Sequence, residues 1–95
     1  MNLEKSQKRL TKLHNRGDHG YPLIEIQYFG VSPQLATKVV VSFTQEADGQ
    51  TFEESFTALS DIRRDEVVQT TLLKIIDRAD AKTVVVKEKV LNLTN

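Results

Sequence analysis

The sequence predicts an α+β domain, a two-layer sandwich in the order α-β-β-β-α-β. Three observations carry this prediction: one long stretch with helical periodicity, two stretches of strand-like alternation, and a valine-rich segment near the C-terminus. In residues 60–80, Val68, Leu72, Ile75, Ile76 and Ala79 recur at helical spacing. At 100° per residue these five lie within about 100° of one another, forming the apolar stripe of an amphipathic helix. Ile62 and Leu73 widen it, while Arg63, Arg64, Thr70, Thr71, Lys74 and Arg78 keep the other side wet. Burying Val68, Leu72, Ile75 and Ile76 contributes roughly 1.5–3 kcal/mol each before entropy. That exceeds any surface ion pair, so the helix has to lie on an apolar partner.

In chain order, residues 2–16 read as a first helix with a thin apolar line of Leu3, Leu10 and Leu13. Gly17 is placed to end it in the left-handed conformation. Whether this helix is docked or mobile is open at this level. In residues 21–29, Ile24, Ile26 and Tyr28 alternate with Glu25 and Gln27, a half-buried strand with Pro22 at its start. Gly30 and Ser32-Pro33 break the pattern over residues 30–36. The second strand, residues 37–45, places Val39, Val41 and Phe43 on one face. Asp48-Gly49 follows, the strongest short hairpin signal in the chain.

The third strand, residues 50–57, directs Phe52 and Phe56 to the core. Glu54 falls in phase between them, so a bulge or an edge position is expected there. After the long helix, residues 83–93 form a fourth strand, with Val84, Val85 and Val86 suited to cover on both faces. Short links make the first three strands an antiparallel meander. A right-handed return through the helix sets the fourth beside the first. The expected product is a four-stranded, mostly antiparallel sheet of order 3-2-1-4 with both helices on one face. Residues 1–95 are expected to form a single domain.

The opposite sheet face would carry Leu23, Phe29, Val40, Val85, Leu91 and Leu93, more apolar surface than a free face needs. These six are the candidate protein interface, and the expected use is a homodimer formed through this face or through an edge strand. A formal net charge of zero, from 13 basic and 13 acidic residues, removes one barrier to self-association. The same balance argues against a strongly charged nucleic-acid binder.

The absence of cysteine excludes disulfides, thiolate nucleophiles and Cys-ligated zinc. It also leans towards a reducing cytoplasm. With no apolar run near a membrane span, a soluble, cytoplasmic, bacterial-type protein without membrane association is expected. No cofactor and no metal are expected.

The most enzyme-like cluster is His14, Asp18 and His19. Two imidazoles and a carboxylate suit a metal, or a base and its orienter, if the turn folds them together. A polar helix end followed by a glycine-bounded turn has this composition without any ligand, and His14 near a helix C-terminus is favourable in itself. No phosphate loop, nucleophile elbow or paired-histidine zinc motif occurs. No catalytic residue is assigned.

Charge is unevenly distributed. Residues 1–20 hold five basic and two acidic groups, a net +3; residues 21–60 hold one base against five acids, a net −4. Lys5, Lys8, Arg9, Lys12 and Arg16 form a basic helical stripe. It could meet the acidic hairpin within the chain, meet it head to tail in another copy, or contact a phosphate backbone. Nucleic-acid binding by this stripe is the alternative to protein binding.

The order α-β-β-β-α resembles that of the double-stranded-RNA-binding domain. That family carries a lysine-rich cluster at its second helix and a Gly-Pro-x-His loop between its first two strands. Here Arg63-Arg64-Asp65-Glu66 and Gly30-Val31-Ser32-Pro33 stand at those places, so only topology is shared. With a strand after the second helix, the order is also similar to the opening of secretion-chaperone folds, which are longer and usually acidic. Topology assigns no function. The expected function is a small non-enzymatic accessory or adaptor domain acting through protein–protein binding and self-association.

Overall fold

Asp65 divides the helical stretch expected over residues 60–80. Its backbone is extended (φ −86°, ψ 108°), and its carboxylate accepts the Val68 N–H at 3.1 Å, capping the helix α2, Glu66–Ala79. Upstream, Ile62–Arg64 form one 3-10 turn, capped in turn by Asp61, which accepts the Arg63 N–H at 3.1 Å. Short acidic side chains that bond backbone two or three residues ahead favour helix starts over helix interiors. One long helix therefore becomes a turn and a helix.

The computed structural model describes residues 2–93. Besides α2 it contains α1 (Leu3–Asn15), β1 (Leu23–Ser32), β2 (Leu35–Thr44), β3 (Thr51–Thr57) and β4 (Thr83–Asn92). The strands form one mixed sheet in the order β3-β2-β1-β4. β1 and β4 are parallel, while the β1–β2 and β2–β3 pairs are antiparallel. This is the α+β architecture that the periodicities predict.

The core lies between the sheet and α2. Ile24 and Ile26 of β1, Val39 of β2, Val84 of β4, Ile62 of the 3-10 turn and Leu72 of α2 are all fully buried. α1 is docked. Asn2 caps it by accepting the Lys5 N–H, Gly17 ends it at φ 79°, and it buries Leu10 and Ser6. The Ser6 and Thr70 hydroxyls lie 3.3 Å apart, and Arg9 pairs with Asp77 of α2 at 3.1 Å.

The connections depart from expectation in two places. Residues 30–36 are not a loop: β1 continues to Ser32 and β2 begins at Leu35, leaving a two-residue turn of Pro33 and Gln34. Gly30 makes this possible, because a Cβ there would overlap the Leu35 carbonyl oxygen. The register slips beside it, between Phe29 and Gly30 and again before Ser32. The Asp48-Gly49 hairpin is instead a six-residue loop, closed by Gly49 donating to the Glu46 carbonyl at 2.9 Å.

β3 pairs with β2 without a register shift, so Glu54 is accommodated by the edge position and not by a bulge. The irregularity sits in the parallel pair, where Gln27 faces Lys87 but Phe29 faces Leu91. The Gln27 side-chain amide fills this gap by donating to the Lys89 carbonyl at 2.8 Å.

Candidate interaction surfaces

His14, Asp18 and His19 are tied to the chain separately. His14 lies at the C-terminal end of α1, and its Nδ1 accepts the Val86 N–H at 3.0 Å. His19 Nε2 donates to the Arg16 carbonyl at 2.8 Å, and its backbone N–H donates to the Thr83 hydroxyl at 2.8 Å. Asp18 accepts from the Gly20 N–H at 2.9 Å and from the Thr83 hydroxyl at 3.4 Å. Thr83 is the hub, also donating to the Gly20 carbonyl at 2.7 Å. The cluster clamps the α1–β1 turn onto the start of β4. Among the described residues, no group of three or more His, Cys, Asp or Glu side chains could hold a metal ion.

All five residues of the basic stripe, four on α1 and Arg16 at its C-cap, are exposed. Two are engaged: Lys8 pairs with Glu4 at 3.1 Å, and Arg9 with Asp77. Lys5, Lys12 and Arg16 form no ion pair among the described residues. At 100° per residue these three fall within about 40° of one another, so they make a single line along the helix. α1 packs beside α2 over β4, and the acidic β2–β3 hairpin is at the opposite edge of the sheet. The two charged regions therefore do not neutralise each other within one chain.

The six residues expected on the second sheet face are divided by polar pairs. Leu23, Phe29, Val40 and Val85 are half-buried, and Leu91 and Leu93 are 39% and 38% exposed. Cross-strand register puts Phe29 beside Leu91, and Leu23 one row from Val85. Between these patches run Glu25 and Lys87, ion-paired at 3.0 Å, and Gln27. Ser42 donates to Glu53 at 3.3 Å, the Thr44 and Thr51 hydroxyls lie 2.9 Å apart, and the Lys38 ammonium sits 5.9 Å from the Phe29 ring centre. The expected apolar residues thus form two patches, Leu23 with Val85 and Phe29 with Leu91, on either side of a polar band.

β3 stands at the sheet edge that the expected strand order gives it, but the exposure of Phe52, expected in the core, is what sequence reasoning missed. Phe52 and Phe56 do point to the helix side, in register with Phe43, which packs against the core, and with the core residue Val39. Yet Phe52 is 59% exposed, and every residue of β3 except the half-buried Phe56 is exposed. Between this strand and α2 runs a groove of about 520 Å³, with Val41 and Phe43 of β2, Phe52 and Glu54 of β3, and Ile75 and Ala79 of α2 along it. The signal in the sequence is the pair Glu53-Glu54 inside an otherwise strand-like run. Charges are a common feature of unpaired sheet edges.

A second cleft, of about 470 Å³, lies between α1 and the sheet, with Leu10, His14, Tyr28 and Gln69 in its lining. Gln69 is only 2% exposed, and it is a polar residue within α2 that the apolar pattern did not single out. Burial pushes the Tyr28 phenol above its ordinary pKa, partly offset by the Gln69 hydrogen bond. Arg63 at the cleft mouth is already held by Asp61, with contacts of 2.9 and 2.7 Å. That bond is the main cause of the lowered Asp61 pKa and the raised Arg63 pKa.

No helix of the described residues is long and apolar enough to cross a membrane. Comparison of the chain with family models, with curated proteins and with solved structures returned no match.

Proposed function

We propose that this chain is a small non-enzymatic adaptor domain that works by binding protein, with self-association among its contacts. One observation carries the proposal: the sheet ends in an exposed edge strand, β3, that neither helix covers, with Phe52 largely open to solvent. An apolar aromatic side chain beside unpaired backbone groups is the surface an added strand or packed helix would bury. The Phe29–Leu91 patch on the other sheet face is the self-association surface in this proposal. Absence of cysteine fits a cytoplasmic setting.

Light scattering across a concentration series tests self-association, and a pull-down from native lysate with and without nuclease tests protein partners. Retained protein partners after nuclease, or a mass above the monomer, support the proposal. A monomer at high micromolar concentration with an empty pull-down overturns it.

The line of Lys5, Lys12 and Arg16 favours a second reading, binding of nucleic acid through α1. Binding that weakens steeply with salt, and is lost when these three become Ala, would support it.

A further inference from the structure

We propose that the β3 edge binds an extended, cationic and apolar segment of another protein, which joins the sheet as a fifth strand. The proposal rests on the protein-binding function above and names the class of partner for one edge.

Backbone geometry comes first. Ala58 donates its N–H to the Thr37 carbonyl at 2.9 Å, and the β2–β3 register then runs without a break to Thr44 opposite Thr51. Antiparallel ladders alternate, so Phe56, Glu54 and Phe52 direct their backbone groups at β2. Thr51, Glu53, Ser55 and Thr57 direct theirs outward. Four N–H and four C=O groups thus stand in a row along the free edge, spaced for one more strand.

Side chains select what the strand carries. On the helix side, an added strand would place every second residue beside Phe52 and over the mouth of the groove against Ile75 and Ala79. Those positions call for apolar residues. The charge is acidic: Glu53 and Glu54 lie on the strand, and Glu46 and Asp48 lie in the loop leading into it. None of the four forms an ion pair among the described residues. Arg78 of α2 also lines the groove and offsets only part of this charge. A second copy's β3 would bring its own Glu53 and Glu54 to the same edge, and like charges across a strand pair oppose pairing. A segment that sets apolar residues beside Phe52 on the helix side and Lys or Arg beside Glu53 on the other face meets both requirements, while Glu54, which shares the helix side with Phe52, adds to the acidic field of the edge.

The test titrates a short capped peptide alternating Lys and Val into the isotope-labelled full chain, with a Glu–Val peptide as control, and reads amide hydrogen exchange. Thr51, Glu53, Ser55 and Thr57 are expected to gain protection with the Lys–Val peptide alone, while Phe52, Glu54 and Phe56, already bonded to β2, change little. Replacing Glu53 and Glu54 with Lys is expected to weaken binding by roughly tenfold or more, the scale of a few exposed charge pairs. A Gln pair at the same positions serves if that variant fails to fold. Phe52→Ala is expected to weaken binding without moving the other signals. Unchanged protection at the four amides, equal protection by both peptides, or protection confined to α1 or β4 overturns the inference. If that happens while the chain still self-associates or retains protein partners, the adaptor function stands and only this edge assignment falls.

Discussion

Gln69 donates its side-chain amide to the Tyr28 hydroxyl at 3.3 Å, beneath α2, and to the Ile62 carbonyl at 3.2 Å. One buried amide therefore joins β1, α2 and the 3-10 turn. Replacing Tyr28 with Phe leaves the amide its carbonyl partner and is expected to cost about 0.5–1.5 kcal/mol. Gln69→Leu strands both the hydroxyl and the carbonyl and is expected to cost about 2 kcal/mol or more. The double variant should cost less than the sum, because the second change removes a group that the first left unpaired. Urea midpoints at constant slope measure all three. The raised Tyr28 pKa adds an alkaline signature: its stabilisation is complete below about pH 10 and is lost as pH rises through the folded-state value. Tyr28→Phe should remove that loss.

The Asp61–Arg63 pair sets an acid limit on stability. The Arg63 hydrogen bond holds the Asp61 carboxyl below its ordinary value against the opposing effect of burial. A lowered carboxyl pKa contributes stability that is present above about pH 4 and is lost as pH falls through the folded-state value. The raised Arg63 pKa reports the same contact and is not a second contribution. Asp61→Asn is therefore expected to flatten the stability profile below about pH 4. An equal slope in both proteins on acid titration would contradict it.

The helix stripe and the strands were legible because both depend on periodicity, and the strand order because short links and a right-handed crossover leave few arrangements. Val68, Leu72 and Ile76 are buried at the spacing that marks them in the sequence, and Ile24 and Ile26 likewise. The division at Asp65 was not legible, since the apolar spacing runs on from Ile62 while the break depends on how two aspartates cap backbone. Phe52 fails as a core residue for another reason. Its phase is right, but exposure at a sheet edge depends on how far a helix reaches across the sheet, which local pattern does not encode. The polar band on the second face follows from register, as in Glu25 with Lys87, and register emerges only once strands pair. The edge position of β3 was accordingly legible from the strand order, but the open face of Phe52 on it was not.

His14 closes part of the other sheet edge. Its Nδ1 accepts the Val86 N–H, a group on an outer strand, so α1 guards β4 as no element guards β3. His14→Ala is expected to cost about 0.5–1.5 kcal/mol and to speed exchange of the Val86 amide well above that of Val84. Unchanged Val86 exchange would show that α1 does not protect this edge.

Asp80 ends α2 in the left-handed region, at φ 52° and ψ 46°. Its own N–H bonds the Asp77 carbonyl, and Ala81 bonds back to Ile76 at 3.3 Å, so the turn satisfies carbonyls that α2 leaves open. An L-residue with a Cβ is strained in this conformation, and a carboxylate at a helix C-terminus faces the negative end of the macrodipole. Glycine avoids both costs at this position. Asp80→Gly is expected to stabilise the protein by about 0.5–1 kcal/mol, despite the greater freedom glycine gives the unfolded chain. Asp80→Ala, which keeps the Cβ and removes only the charge, should recover less. A thermal midpoint that rises for Gly and by a smaller margin for Ala fits both causes. Equal rises would leave the charge as the cause and remove backbone strain from the account.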